Sequence, residues 1–362
     1  METQWDTPAV LVDLDVLERN ISAMADKARQ AGVKLRPHVK THKSVWIAKQ
    51  QLRYGAAGIT VAKLGEAEIM ADAGISDILI AYPIVGKPKL ERLGRLTAKA
   101  AVTVSTDDPL TAKGLSDLGE FLKRPIRLYV DVNTGLNRCG REPGEQTAAL
   151  VKHISRMPGV TVAGLMTHAG HSYGKPDAEE VRAIARNEAE SLVQTQRMLQ
   201  REGIEIEEIS VGSTPTSMFI GELTGVTEMR PGTYVFGDGI QLSLGSMTNE
   251  QCAVHVAVTV VGHPREGTYL VDGGSKTFSS DLNAHRSGYG ILRDNPDVYI
   301  ERMNEEHGWL HVPPGVRFQI GEQLHIVPNH VCPMINLHER LIGVRGGQAE
   351  HEIAVDARGK IT

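Results

Sequence analysis

Short apolar, β-branched runs alternate with stretches of helical spacing along the first two thirds of the chain. A first candidate strand, Ala9–Leu14, precedes a helix of about Val16–Ala31. Eight buried runs follow, and in chain order they are Val33–Pro37, Gly58–Ala62, Ile78–Tyr82, Ala101–Ser105, Ile126–Val132, Val160–Met166, Glu207–Val211 and Glu228–Phe236. Segments such as Leu64–Ala73 and Ala178–Arg201 separate them with helical periodicity. Eight βα alternations in about 200 residues predict a parallel (β/α)8 TIM barrel, with a doubly wound open sheet as the alternative.

The pattern changes after Gly239. Gln251–Gly262 and Tyr269–Asp272 alternate apolar and small residues, Arg317–Pro328 predicts one strand pair, and Leu341–Val355 predicts another with Gly-Gly at its centre. These features are typical of an antiparallel β domain. We expect Ala9–Leu14 to join this second domain.

A chain of 362 residues is long enough for one large α/β domain and a smaller second one. We therefore predict a barrel over residues 15–239. Residues 1–14 and 240–362 form the predicted C-terminal β domain.

Composition excludes several classes of function. The chain has 39 Lys+Arg against 44 Asp+Glu, a formal net charge of -5, which gives no electrostatic case for nucleic acid or an anionic membrane surface. No stretch approaches the roughly 20 apolar residues of a membrane span. Met1–Asp6 lacks the features of an export signal, and Cys139, Cys252 and Cys332 make no disulfide framework. We expect a cytoplasmic protein.

The segment Leu35–Lys43 places three cations and two histidines at the end of an apolar run. A lysine that ends a buried strand among other cations has its ammonium form disfavoured, so it becomes a usable amine nucleophile. Pyridoxal phosphate requires such a lysine for its Schiff base. A basic solvated loop is the alternative interpretation.

Polar groups end nearly every predicted barrel strand, where the active sites of such barrels lie. In order along the chain these groups are Lys40, Lys63, Tyr82, Asn133 with Arg138, His168 with Tyr173, Ser213 with Thr214, and Thr233 with Tyr234. We expect His168 to stack on or hydrogen-bond a cofactor ring, and Arg138 to reach its phenolate oxygen. Either residue could instead be structural, since Arg138 could satisfy carbonyls at the barrel end.

Two loops predict a phosphate site. Gly212, Ser213 and Thr214 follow the seventh strand, and Gly232, Thr233 and Tyr234 close the eighth. Glycines and small hydroxyls expose N–H and O–H donors to an anion, and barrels often build phosphate sites from these two loops. An ordinary N-cap turn is the alternative for the first loop.

His330 and Cys332 stand two residues apart late in the β domain. On an extended segment this spacing puts both side chains on one face, and imidazole with thiolate favours zinc. Two ligands leave the remaining coordination positions open to water or substrate. The polar cluster Asn304–Gly308 contains His307, a candidate for proton transfer, and a solvated turn is its alternative.

The chain resembles the fold-type III, alanine racemase-like enzymes that use pyridoxal phosphate, and within them the D-threonine aldolase and D-serine dehydratase family. Thr7–Asp15 resembles the family's opening strand, Arg36–Lys43 its cofactor-lysine motif and Val211–Thr216 its phosphate loop. The resemblance implies that Lys40, rather than Lys43, carries the cofactor. It also implies a divalent metal on His330 and Cys332, with Zn2+ favoured over Mn2+ or Mg2+, a D-amino acid substrate and a homodimer.

The reaction that this resemblance implies is metal-assisted retro-aldol cleavage of a D-β-hydroxy-α-amino acid, such as D-threonine to glycine and acetaldehyde. β-Elimination of D-serine or 3-hydroxy-D-aspartate to a keto acid and ammonia uses the same groups. Cys332 resembles the metal pair of the dehydratases, whereas Cys332–Leu337 continues as in the aldolases. An amino-acid racemase and a non-catalytic pyridoxal phosphate-binding protein are two further hypotheses.

Overall fold

The computed structural model describes residues 5–362, so residues 1–4 of the predicted β domain and of the Met1–Asp6 segment lie outside it. In chain order, the strands are β1 (Ala9–Asp13), β2 (Lys34–Leu35), β3 (Ile59–Val61), β4 (Asp77–Ile80), β5 (Ala101–Thr106), β6 (Ile126–Asp131), β7 (Val160–Met166), β8 (Glu208–Val211), β9 (Glu228–Met229), β10 (Val254–Arg265), β11 (Thr268–Val271), β12 (Gly290–Leu292), β13 (Asn295–Met303), β14 (Gly308–His311), β15 (Gln323–Pro328), β16 (Arg340–Arg345) and β17 (Gln348–Ala354). The α-helices are α1 (Leu14–Gln30), α2 (Val45–Arg53), α3 (Leu64–Asp72), α4 (Lys87–Leu96), α5 (Pro109–Leu122), α6 (Glu145–Ile154), α7 (Ala178–Arg201), α8 (Gly239–Ser243), α9 (Ser275–Phe278) and α10 (Val331–Ile335).

Strands β2 to β9 form one parallel sheet in the order β2-β9-β8-β7-β6-β5-β4-β3. A parallel bridge between His38 and Thr60 joins its two ends, and the amide of Thr60 donates to Pro37 O at 2.8 Å beside it. The (β/α)8 barrel is therefore confirmed, and the open sheet is wrong.

The interior of the barrel contains both apolar and charged side chains. Leu79, Tyr129, Ala163 and Met166 pack together as one buried cluster. Glu228 is fully buried, and its carboxylate accepts from Arg36 Nε and from Ser210 Oγ, both at 2.6 Å. A buried carboxylate is stabilised when it is paired and hydrogen-bonded in this way.

The last barrel strand is shorter than the predicted Glu228–Phe236. Only Glu228–Met229 pairs as strand β9, and Thr233–Val235 forms a 3-10 helix. Pro231 lacks an amide hydrogen, so it cannot continue the ladder. The chain turns there, directly after Arg230.

The second sheet has nine strands in the order β11-β14-β13-β12-β15-β10-β1-β16-β17. It is antiparallel except for the parallel pair β1–β16, so the predicted antiparallel β domain is confirmed. Strand β1, Ala9–Asp13, pairs within this sheet, and Leu14 begins α1. Leu341–Val355 forms the predicted hairpin, with Gly346 and Gly347 at φ 57° and 80° as a tight turn requires. Arg317–Pro328 is not a strand pair, because the chain turns at Gly321 and only Gln323–Pro328 is extended.

The described chain divides into two compact units. The barrel unit comprises Ala23–Lys40, Ile47–Gly232 and Lys360–Thr362, and the β unit comprises the residues up to Ser22, Thr41–Trp46 and Thr233–Gly359. Within the barrel unit, Thr362 O accepts from the amide of Gly65 at 2.9 Å. Among the described residues, no helix is long and apolar enough to cross a membrane.

Candidate active site

A cavity of about 380 Å³ opens in the barrel unit, within the size range of small-molecule sites. Its lining comes largely from the carboxyl ends of the parallel strands and the loops after them. The lining residues are His38, Lys40, Ala62, Lys63, Ala81, Tyr82, Pro83, Asp131, Arg138, Cys139, Met166, His168, Gly212 and Arg230. Strand-end groups predicted from five different segments thus share one cavity.

Positive charge dominates this lining. Lys40, Lys63, Arg138 and Arg230 face it with a single carboxylate, Asp131. Burial raises the pKa of Asp131 to about 6, while Arg230 opposes that rise and Asp107 adds to it. A cavity with this balance suits an anionic ligand.

The two histidines of the cavity are neutral and have opposite tautomers. Burial, then the charge of Lys40, lowers the pKa of His168 to about 3, and the same two causes hold the pKa of His38 well below its usual range. His168 Nδ1 lies 3.3 Å from Gly212 O, a group that can only accept, so Nδ1 carries the proton. The backbone amide of Lys40 donates to His38 Nδ1 at 3.4 Å, so the His38 proton is on Nε2.

Arg230 is held from inside the barrel. Its guanidinium donates to Ser210 Oγ and to Thr167 O, and Ser210 in turn donates to Glu228. The side chain is buried, with 5% exposed. Burial lowers the pKa of Arg230, and Glu228 and Asp131 oppose that shift. Arg230 therefore supplies a fixed positive charge to the cavity.

Lys63 and Tyr82 form a cation–π pair at the cavity wall. Lys63 Nζ lies 3.7 Å from the centroid of the Tyr82 ring. The backbone amide of Lys63 donates to Glu66 Oε2 at 3.2 Å, which fixes the start of α3. The sequence identified both side chains only as strand ends.

The loop after β6 positions Arg138. Asn133 Oδ1 accepts from the amides of Gly135 and Asn137, at 3.2 and 3.0 Å. Gly140 has φ +98°, and a Cβ there would lie 2.5 Å from the amide nitrogen of Asn133. Glycine at this position therefore allows the tight return of the loop.

The other predicted cofactor residues lie in different surroundings. Gly212 lines the cavity, whereas Ser213 and Thr214 are buried, with Ser213 Oγ 3.1 Å from Thr216 Oγ1 and 3.2 Å from Ser172 Oγ. Tyr173 is half-buried in a 3-10 helix, Gly170–Gly174, outside the lining.

The second predicted loop is divided between the two units. Gly232 ends a segment of the barrel unit, and Thr233 and Tyr234 are buried residues of the β unit.

In the β unit, the side chains of His330 and Cys332 lie next to each other. His330 has extended backbone, but it is the N-cap residue of α10, so Cys332 lies in a helical turn and the predicted extended segment is wrong. The helix begins there because Asp238 Oδ2 accepts from the amide of Val331 at 3.1 Å. Cys332 Sγ donates to Thr41 Oγ1 at 3.4 Å.

Carboxylates surround His330. Its Nδ1 donates to Asp281 Oδ2 at 2.7 Å, and Asp238 is buried nearby. Burial lowers the pKa of His330, but Cys332, Asp238 and Asp281 together raise it to about 10. Burial also raises the pKa of Asp238. Asp281 orients the imidazole as an outer-shell carboxylate orients a metal ligand.

His307 lies in the turn between β13 and β14, where its ring is exposed and 6.4 Å from that of Trp309. Its amide donates to Asn304 Oδ1 at 2.7 Å, which organises the turn. No described contact joins His307 to His330 or Cys332. In the part of the chain that the structure describes, no group of three or more His, Cys, Asp or Glu side chains is placed to hold a metal ion.

Sequence reasoning missed Arg230, Asp131, His38 and Asp281 as site residues. Three of them had a signal in the sequence, since Asp131 ends β6, Arg230 follows β9, and His38 is two residues from Lys40. Asp281 had none, because it meets His330 across 49 residues.

Two family models match the chain. The model described as "Alanine racemase, N-terminal domain" matches residues 12–239, more than half of the chain. The model described as "Putative serine dehydratase domain" matches residues 253–344.

Relatives of both predicted activities resemble the whole chain. A D-threo-3-hydroxyaspartate dehydratase of Delftia sp. is 35% identical, over 90% of this chain and 91% of its own length. A D-threonine aldolase structure from Filomicrobium marinum has a TM-score of 0.92 and 35% identity, over 99% of this chain and 97% of that chain. A Cys→Ala variant of D-threo-3-hydroxyaspartate dehydratase, described as metal-free, has a TM-score of 0.90 and 32% identity, over 97% of both chains. The chain belongs to the alanine racemase-like family that includes D-threonine aldolase and D-serine dehydratase.

Proposed function

We propose that this chain is a pyridoxal phosphate- and divalent metal-dependent lyase that cleaves D-β-hydroxy-α-amino acids, with D-threonine to glycine and acetaldehyde as the leading reaction. One observation carries the proposal: Lys40 lies with Arg138, Arg230 and two neutral histidines in one cavity at the barrel end. The names of the relatives with which the chain shares its fold support the choice of substrate class.

Pyridoxal phosphate is the cofactor that family membership supports. The donor set fits it, because the cavity offers an amine to its aldehyde and an excess of positive charge to its anionic phosphate group. Lys40 would bind the cofactor covalently, Arg138 and Arg230 would face its polar groups, and Gly212 would adjoin its phosphate. The bound cofactor supplies an electron sink for the pair released when a bond at Cα breaks.

The chain's own residues orient and bind. His168 presents an Nε2 lone pair and His38 an Nε2–H, since their Nδ1 atoms are committed to Gly212 O and to the Lys40 amide. Arg230 cannot swing away, because its guanidinium is anchored to Ser210 and Thr167. The cavity thus keeps donors and acceptors fixed before ligand binds, which lowers the reorganisation needed for reaction.

His330 and Cys332 would hold the metal, with Asp281 orienting the imidazole. The donor set fits a divalent cation, because thiolate, imidazole and nearby carboxylates favour positive charge, and it favours Zn2+ over Mn2+ or Mg2+. When bound, the metal would lower the pKa of a hydroxyl group that coordinates to it. His307 stays our candidate for proton transfer, with its ring exposed to solvent.

β-Elimination is the second candidate function, because Cys332 supplies the thiol that sequence resemblance associates with the dehydratases. The substrate would be D-serine or 3-hydroxy-D-aspartate, and the products a keto acid and ammonia. We also propose a homodimer as the active form, from resemblance to the family.

Product analysis tests both functions. Purified protein with pyridoxal phosphate and Zn2+ or Mn2+ is offered D-threonine, D-serine, 3-hydroxy-D-aspartate and their L-enantiomers. Glycine and acetaldehyde from D-threonine, abolished by EDTA, support the aldolase. Keto acid and ammonia support the dehydratase, interconversion of enantiomers supports a racemase, and no turnover despite bound cofactor supports a non-catalytic carrier.

A further inference from the structure

Glu188 is a buried carboxyl group that the proposed reaction does not use. It lies on α7, and 0% of the residue is exposed. Neither carboxyl oxygen has a hydrogen bond of normal geometry within the described chain. Leaving such a group unpaired in a protein interior is costly, so its position needs a reason.

The face of α7 that carries Glu188 packs against the segments that follow β7 and β8, since Val181 and Ala185 on that face contact Phe219. Burial raises the pKa of Glu188 to about 7, whereas the Thr216 hydroxyl, the charge of Arg230 and the amides of Gly212 and Ala169 oppose that rise. Gly212 and Ala169 follow β8 and β7. Arg230 is the charged group among these neighbours, and the others are uncharged.

We infer that Glu188 is a positioning residue that supports the loops after β7 and β8, and that binding of the cofactor phosphate is coupled to proton uptake by its carboxyl group. The inference rests on the proposed function, because it requires a phosphate beside Gly212. It goes beyond that function by naming a residue outside the cavity lining that adjusts affinity for the phosphate.

The sign of the coupling follows from charge. A phosphate bound beside Gly212 would bring negative charge close to Glu188, because Gly212 lines the cavity and is also a neighbour of Glu188. Two like charges repel most strongly where water is excluded. Phosphate binding therefore favours the protonated carboxyl. By linkage, ionisation of Glu188 weakens binding of the phosphate group. The affinity of the protein for pyridoxal 5′-phosphate therefore falls as pH rises through the range near 7.

The test compares dissociation constants of pyridoxal 5′-phosphate and of pyridoxal with apo protein between pH 6.5 and 8.5. Both ligands react with the same lysine, but free pyridoxal also closes to a cyclic hemiacetal, so the change of the affinity ratio with pH, rather than the ratio itself, reports on the phosphate. In wild type we expect this ratio to fall by up to about tenfold per pH unit above pH 7, the limit for one linked proton. In Glu188→Gln, whose side chain is uncharged, we expect this affinity ratio to change less with pH than in wild type. At pH 8.5 the variant should bind pyridoxal 5′-phosphate more tightly than wild type.

Glu190→Gln is the matched control, since Glu190 is an exposed residue of the same helix. It should follow the wild-type profile. Calorimetry of wild type in buffers of different ionisation enthalpy gives a second measurement that does not depend on the folding of Glu188→Gln. It should register proton uptake with pyridoxal 5′-phosphate near pH 7.5 and less with pyridoxal.

Two failures are distinguishable. Identical ratio profiles for wild type and Glu188→Gln, or no difference in proton uptake between the two ligands, overturn the role of Glu188 and leave the cofactor proposal intact. If wild type binds pyridoxal 5′-phosphate no more tightly than pyridoxal at any pH, the proposed phosphate site itself is wrong.

Discussion

Lys40 shares its cavity with three other cations, yet the two histidines beside it carry no charge. Burial and the charge of Lys40 keep the pKa values of His38 and His168 low, so both rings stay neutral at physiological pH. A neutral imidazole offers one donor and one acceptor, which lets it bind a polar ring without adding to the positive charge. The cations of the cavity thus supply the positive charge for an anionic ligand, and the neutral histidines supply a hydrogen-bond donor and an acceptor.

Lys40→Ala should abolish covalent attachment of pyridoxal phosphate and lower turnover by at least about a thousandfold, because no other group is assigned as the amine nucleophile. Borohydride reduction followed by mass spectrometry measures the attachment. Lys43→Ala is the control, since Lys43 Nζ donates to Asn336 Oδ1 at 2.8 Å. It should retain attachment and lose about 1–3 kcal/mol of unfolding free energy, and loss of attachment in Lys43→Ala alone would contradict the assignment.

Asp281→Asn should weaken zinc binding by about 10- to 100-fold, because the carboxylate that orients the His330 imidazole is lost. Competition with a chromophoric chelator measures the affinity. Asp294→Asn, elsewhere in the β unit, should leave zinc affinity unchanged. Equal affinity in wild type and Asp281→Asn would remove Asp281 from the metal site.

Among the elements, the loop after β6 sets the position of Arg138 through backbone geometry. A side chain at position 140 would collide with the backbone of Asn133, because its Cβ would come within 2.5 Å of the amide nitrogen. The left-handed φ of +98° at Gly140 adds a second reason for glycine. The position of the Arg138 guanidinium at the cavity therefore depends on glycine at position 140.

Gly140→Ala should lower the free energy of unfolding by about 1–3 kcal/mol through strain and collision. It should also weaken binding of pyridoxal 5′-phosphate, because the Arg138 loop shifts. Gly174→Ala, where a Cβ would meet nothing within 4 Å, is the control and should change stability by less than about 0.5 kcal/mol. Urea unfolding measures both, and equal stability of the two variants would refute the strain argument.

Helix α7 carries a pH-dependent contribution to stability. The folded pKa of Glu188 lies above its ordinary value, because burial penalises the ionised carboxylate. The free energy of unfolding is therefore highest at low pH, where the carboxyl is protonated, and it falls as pH rises through about 7. Relative to wild type, apo Glu188→Gln should therefore gain about 2 kcal/mol between pH 5 and pH 8. Urea unfolding at those two pH values measures the difference, and a constant difference would contradict it.

In the molecule as a whole, the candidate residues fall in two separate compact units. The barrel unit contains the cavity of Lys40, and the β unit contains His330 and Cys332. Each unit has its own sheet and its own buried cluster, such as Ala9, Leu11 and Ala257 in the β unit. Each candidate set of residues is therefore positioned by the sheet of its own unit.

The proposed homodimer predicts a mass of about twice 39.4 kDa in sedimentation equilibrium. If the homodimer is the active form, as proposed, dilution should lower specific activity as the dimer dissociates. A species of 39.4 kDa with undiminished turnover would show that one chain suffices.

The barrel and the β domain could be predicted from the amino-acid sequence, which also proposes Lys40 for the cofactor and His330 with Cys332 for a metal. These features are local: βα alternation, nine residues around Lys40, and the spacing of His330 and Cys332. Periodicity and spacing are properties of a linear chain, so they are readable before any contact is known.

Which groups meet in space is a property of the folded chain alone. Arg230 is anchored to Thr167 across 63 residues, and Asp281 reaches His330 across 49. The short helix that carries Cys332 begins where the amide of Val331 donates a hydrogen bond to Asp238, which is 93 residues away in sequence. Such contacts depend on how strands and loops are brought together, and no pattern of residue types over a short window encodes them.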